Sequence, residues 1–182
     1  MSKIKQGHVL HDLISKHNVR KFAEIGVWKS HTVEIILENK PIFLEEYWAI
    51  DPWLKLTDPK YGHYHIRIQE EWDKFHLECC KKMLKFSSLR VLRTDHEQAS
   101  RIFPKQYFDL VFLDADHFFH PTLSQIDHWL PLVKAGGFLT GHGFMKRRPE
   151  VEQAVRMQFG DDFELLDATV WLYQQQEKIL VI

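Results

Sequence analysis

The residues with chemical potential in this chain sit directly after an apolar run. In "DLVFLDADHFFH", residues 109–120, strand-forming side chains give way at once to Asp114, Asp116 and His117. A histidine titrates near neutrality, and a carboxylate a few residues away can orient its ring. The trio therefore suits a general base, with His117 as proton acceptor and Asp114 or Asp116 as its partner. The competing reading is structural, with Asp116 and His117 capping a following helix or meeting solvent.

Four further apolar runs end in polar groups. They are Glu24-Ile25-Gly26-Val27-Trp28-Lys29-Ser30, Asp51, Thr94-Asp95-His96 and Gly141-His142-Gly143. Each alone suits a cap or turn. Together they match the carboxyl edge of an open parallel sheet, where ligand crevices form.

The elements that must position these groups follow from periodicity. "RKFAEIG", "EEYWAID", "LRVLRT", "FDLVFLD" and "GGFLTGH" read as five strands, the last opened by a glycine turn. "VLHDLI", "SHTVEIILEN", "TLSQIDHWLPLV" and "RPEVEQAVRMQF" carry helical patterns, and a longer helix from about residue 64 has Ile68, Trp72, Phe75, Cys79 and Met83 at steps of three and four. "DFELLD" and "TVWLYQQ" form a closing antiparallel hairpin. The expectation is an α/β, Rossmann-like fold: a seven-stranded, mainly parallel sheet with helices on both faces, in one domain over residues 1–182. Residues 52–63, with two prolines and a glycine, form a loop whose Trp53, with Tyr61, His63 and Tyr64 beside it, could cover a ligand.

Asp51 lies 25 residues after Gly26, a placement that lets a carboxylate accept hydrogen bonds from two ribose hydroxyls. A nucleoside cofactor is implied. A dinucleotide needs G-x-G-x-x-G for close backbone approach to a pyrophosphate, yet those positions read Gly26, Trp28 and His31. A phosphate-free cofactor such as S-adenosylmethionine tolerates the side chains.

Taken together, "FAEIGVWKSHT", "WAIDPW" and "FDLVFLDADHFFHPTLSQIDHWLPLVKAGGFLTGHGF" resemble successive motifs of class I S-adenosylmethionine-dependent methyltransferases, in particular the small group with D-x-D-H after the fourth strand and G-H-D after the fifth. The resemblance implies methyl transfer to a small-molecule acceptor, through oxygen. It also implies that Glu24 and Gly26, with Trp28 and Ser30 in the same loop, shape the site of the methionine portion. Asp51 would hold the ribose, Thr94 and Asp95 would face the adenine, and Asp114 would lie near the sulfonium. His117, Asp114 and His142 are the catalytic candidates.

This sequence departs from the group twice. Ser30 replaces the last glycine of the first motif, where a compact residue suffices. Gly143 stands where the group supplies an oxygen or amide ligand to a divalent metal, so Asp114 and His142 alone would remain, too few for a hard ion such as magnesium. The metal is left open. The twelve histidines are spread widely and lack a C-x-x-C or H-E-x-x-H core, which argues against zinc.

Composition excludes other classes. With 182 residues there is no room for a substrate domain, which, with Trp28, opposes the alternative of an NAD-dependent oxidoreductase. A net charge of -1, with both signs mixed along the chain, favours neither nucleic acid nor a membrane surface. The polar start and the absence of a long apolar run suggest a cytoplasmic protein. Cys79 and Cys80 are adjacent and read as reduced, structural thiols. A homodimer is left open, and a non-catalytic S-adenosylmethionine-binding module is the second alternative, made plausible by Gly143.

Overall fold

The computed structural model describes residues 3–58, 60 and 66–176. Strands β1 (Lys21–Ile25), β2 (Glu46–Asp51), β3 (Leu89–Arg93), β4 (Phe108–Leu113), β5 (Val133–His142), β6 (Glu164–Leu165) and β7 (Val170–Gln174) form one sheet in the order β3-β2-β1-β4-β5-β7-β6. β1 to β5 are parallel, and β7 runs antiparallel to both β5 and β6. The strand order reverses at β1 and β4, so the crevice beyond their carboxyl ends is the switch point of the sheet.

The apolar runs are continuous because both sheet faces are covered. On one face, Phe22, Tyr47, Leu110 and Phe112 pack against α1 (Lys3–Lys16), α2 (His31–Glu38) and α3 (Gln69–Lys82), through Leu10, Ile14, Val33, Ile36 and Trp72. On the other, Ala23, Ile50, Val111 and Leu113 pack against α4 (His96–Ser100), α5 (Phe119–Trp129) and α6 (Pro149–Phe159), through Ala99, Ile126, Trp129, Val151 and Val155. Alternate residues of β4 serve opposite faces, as the two-residue strand period requires. The expected α/β sheet with helices on both faces is the observed fold.

Several elements differ from their sequence signals. α1 contains "VLHDLI", whose Leu10, Leu13 and Ile14 seal the first core layer, and extends N-terminally to Lys3 through Gln6, which is buried against Asp114. β5 begins at Val133, not at the glycine pair: Val133 pairs with Phe108 before a register shift, and Gly136 N and Gly137 O bond to Gln175, so strand pairing overrides the glycine signal. α3 starts at Gln69, and of its predicted apolar stripe Trp72 and Cys79 are buried and Phe75 is partly buried, while Ile68 and Met83 are exposed because they flank the helix at its two ends. The short helix α4 has too few residues to show a period. Cys79 is buried and its thiol is pushed up to about 12, mainly by that burial, as suits a structural residue. Among the described residues, no helix is long and apolar enough to cross a membrane.

Candidate functional site

A cavity of about 410 Å³ opens at the carboxyl edge of the sheet, a size usual for small-ligand sites. The β1 loop contributes Gly26 and Trp28, β2 contributes Asp51, and the β4 loop contributes Asp114, Asp116 and His117. His142 closes the far side from β5. Leu54, Leu56 and Trp72 give apolar walls, and Arg147, Arg148 and Glu150 lie at the start of α6.

The β1 loop has the backbone of a glycine loop without its glycines. Gly26, Trp28 and Ser30 all have left-handed φ, at 93°, 51° and 55°. Gly26 is required: a Cβ there would lie 2.6 Å from the backbone of Asp114 and Ala115, a separation that backbone atoms cannot relax. Trp28 and Ser30 accept a strain of about 1 kcal/mol or more each. Asp51 offsets it, since its Oδ2 accepts hydrogen bonds from Val27 N and Trp28 N, both at 2.9 Å, and its Oδ1 accepts one from Trp53 N at 2.7 Å. Burial pushes the Asp51 carboxyl above its ordinary value, against these three donors and Arg93. A carboxylate has about four lone-pair directions, so three donors leave room for one ligand hydroxyl rather than two.

Asp114 is the hub of the opposite wall. Its backbone N donates to Ile25 O, fixing it beside the β1 loop. Its Oδ2 accepts a 2.7 Å hydrogen bond from Gln6 Nε2, its Oδ1 lies 3.1 Å from His142 Nδ1, and His117 Nε2 is 3.4 Å from the same oxygen. That last contact is close but is not aligned as a hydrogen bond. Burial pulls the His117 imidazole below its ordinary value, and Asp114 acts in the opposite direction. The two imidazole rings stand edge to face with centroids 5.5 Å apart.

The expected site residues divide into two groups. Gly26, Trp28, Asp51, Asp114, His117 and His142 line the cavity together, whereas Glu24, Ser30, Thr94 and Asp95 do not. Glu24 is buried and its Oε2 accepts a 2.6 Å hydrogen bond from the Tyr47 hydroxyl. Ser30 is buried at the start of α2, its Oγ donating to Lys29 O. Asp95 caps α4 by accepting from Gln98 N, beside Thr94, whose hydroxyl is 3.4 Å from Gln98. Trp53 does not cover a ligand: it is fully buried, donates through Nε1 to Trp28 O and packs on His76. Tyr61, His63 and Tyr64 lie outside the described residues. Asp116 and His117 do not cap α5, which starts from Phe118 without a side-chain cap, and Phe119 N donates instead to Glu150.

Sequence reasoning missed Gln6, Trp72, Arg147 and Arg148. Gln6 reaches Asp114 across 108 residues, a distance at which no spacing rule operates.

The donor set does not suit a hard divalent ion such as magnesium. Gly143 offers no ligand, and Asp114 brings one carboxylate to two imidazoles, while magnesium prefers oxygen throughout.

Comparison with known proteins agrees with this architecture. A family described as a methyltransferase domain matches residues 23–144, which carry every candidate residue named from Glu24 to Gly143. No curated protein sequence matches the chain. Among solved structures, the O-methyltransferase NovP superposes with a TM-score of 0.65 at 17% identity, over 96% of this chain and 80% of that one. Cofactor-bound Rv0187 from MTB gives 0.63 at 12%, covering 95% and 81%. The CurJ carbon methyltransferase gives 0.64 at 14%, covering 97% of this chain and 56% of that one. At these identities the likeness is one of fold, and the family assignment rests on the match to residues 23–144: the chain belongs to the methyltransferase-domain family.

Proposed function

We propose that the chain transfers a methyl group from S-adenosylmethionine to an oxygen of a small-molecule acceptor, with His117 as general base. The observation that carries this reading is a single cavity with Gly26, Trp28 and Asp51 on one wall and Asp114, His117 and His142 on the other.

The cofactor would supply an electrophilic methyl group on a sulfonium. Asp51, with one lone pair left, would accept from a ribose hydroxyl, and the Trp28 side chain occupies the wall that a pyrophosphate would need to approach. That opposes the dinucleotide alternative. His117 turns Nε2 toward Asp114, which leaves Nδ1 as the nitrogen to take the acceptor proton. Its neutral form, favoured by burial, is the one able to do so. Fold does not choose the acceptor atom, since NovP is an O-methyltransferase and CurJ a carbon methyltransferase. A base serves a hydroxyl and an activated carbon alike, since either loses a proton as the new bond forms; oxygen is proposed from the D-x-D-H and G-H-D resemblance and from neighbours such as NovP. A cytoplasmic location, with no nucleic-acid or membrane partner, belongs to the same reading.

Calorimetry with S-adenosylhomocysteine and with NADH tests the cofactor. Binding of the first and not the second is expected; the reverse would overturn the assignment. Turnover is then read as S-adenosylhomocysteine release across phenols, catechols, sugar hydroxyls and carboxylates. His117→Ala should lower it by about 100-fold to 10,000-fold with cofactor affinity unchanged. Cofactor binding without turnover on any acceptor would favour the non-catalytic module.

A further inference from the structure

We infer that Asp114, His117 and His142 form a binding site for a borderline divalent transition ion, of the zinc or cobalt(II) kind, in place of a magnesium site. One ligand atom from each of the three residues lies within 4.8 Å of the others. Two ligands about 2.0 to 2.1 Å from a common ion stand on the order of 3.3 Å apart in a tetrahedron. The pairs already measure 3.1 Å for His142 Nδ1 to Asp114 Oδ1 and 3.4 Å for His117 Nε2 to the same oxygen.

Three independent features point to a ligand. Nε2 of His117, the nitrogen that faces Asp114, is buried with no hydrogen-bond partner, and the His117 side chain is only 17% exposed. A buried polar atom left in that state is unfavourable, and an ion ligated by His117 Nε2 would satisfy it. Gln6 holds Oδ2 of Asp114 and so leaves Oδ1 facing the two rings, the kind of outer hydrogen bond that orients a ligating carboxylate. Finally, all three residues line the cavity, so a bound ion would keep an open position for water or acceptor.

The choice of ion follows from Gly143. A Cβ at that position would lie 2.2 Å from His117 Cδ2, so the space for a side-chain ligand from position 143 is filled by the His117 ring. An imidazole nitrogen thereby replaces an oxygen, and a set of two nitrogens and one carboxylate suits zinc, cobalt or nickel rather than magnesium. The inference goes beyond the turnover reading and competes with it at one residue: an ion on His117 takes the imidazole otherwise free to accept a proton.

The test uses untagged, chelator-treated full-length protein titrated with cobalt(II), zinc and magnesium. One cobalt(II) per chain is expected, with visible absorption bands and with the ring protons of His117 and His142 shifted paramagnetically. Zinc should bind at least 100-fold more tightly than magnesium. His117→Ala and His142→Ala should each weaken zinc by at least tenfold. Magnesium binding as tight as zinc, unshifted ring protons of both histidines, or zinc affinity unchanged in both variants would overturn the inference. The proton shifts are read on the unaltered chain and so do not depend on a variant folding. S-adenosylhomocysteine calorimetry on the same protein separates the two readings: its failure with cobalt bound sinks the methyltransferase reading and leaves the ion site, and the converse result does the opposite.

Discussion

Gly143 and His117 compete for one volume, with Gly143 at φ +100° and the site of its missing Cβ 2.2 Å from His117 Cδ2. The ring orientation that gathers His117 with Asp114 and His142 is thus available because position 143 has no side chain.

Gly143→Ala should therefore destabilise the fold by about 2 to 4 kcal/mol, combining left-handed backbone strain with overpacking. In a His117→Ala background the same change should cost only about 1 kcal/mol, the backbone part. Denaturant unfolding of the four proteins measures the coupling. Equal costs in both backgrounds would mean that the loop relaxes away from the clash.

Asp51 has two roles that one substitution can separate. Asp51→Ala removes the acceptor of three backbone N–H groups and should cost about 2 to 4 kcal/mol of stability, which obscures any binding measurement. Asp51→Asn keeps one acceptor oxygen and should remain folded while binding S-adenosylhomocysteine about tenfold more weakly. A folded Asn variant with unchanged affinity, read by calorimetry beside a thermal melt, would remove Asp51 from the ribose site.

The turn after Asp51 is braced from outside. Arg93 donates to Trp53 O at 3.0 Å and to the Asp73 carboxylate on α3. The Arg93 guanidinium, and then Gln69, hold the Asp73 carboxyl below its ordinary value. A depressed carboxyl contributes stability that is present above the unfolded value, near 3.8, and lost as the pH falls through the lower folded value. The stability gap between the native chain and Asp73→Asn should therefore be steady from neutral pH to about pH 5 and close on further acidification. A gap that widened in acid would reverse the sign and exclude this brace.

Much of the fold was legible in the sequence because its signals are local. Apolar runs at "KFAEI", "YWAID" and "DLVFL" announce strands buried on both faces, and the polar residue after each run marks the edge where the crevice must open. Asp51, Asp114 and His117 could be named for that reason. Asp95 illustrates the limit: it also follows a strand, but it serves as a helix cap, and the one-dimensional pattern of a cap and of a ligand contact is the same.

What tertiary structure decided is which side chains share a volume. Spacing alone argued against zinc, since the twelve histidines are spread widely and match no ligand motif; it could not show that His117 and His142 are neighbours. Parallel pairing of β4 with β5 in the register Leu113↔Gly141 brings them onto one carboxylate, and α1 delivers Gln6 to that carboxylate's other oxygen. The absence of a side chain at Gly143 looked in the sequence like a lost ligand. In the folded chain it is the space His117 occupies, because a contact between residues 26 apart along the chain is set by sheet register and backbone φ rather than by any local propensity.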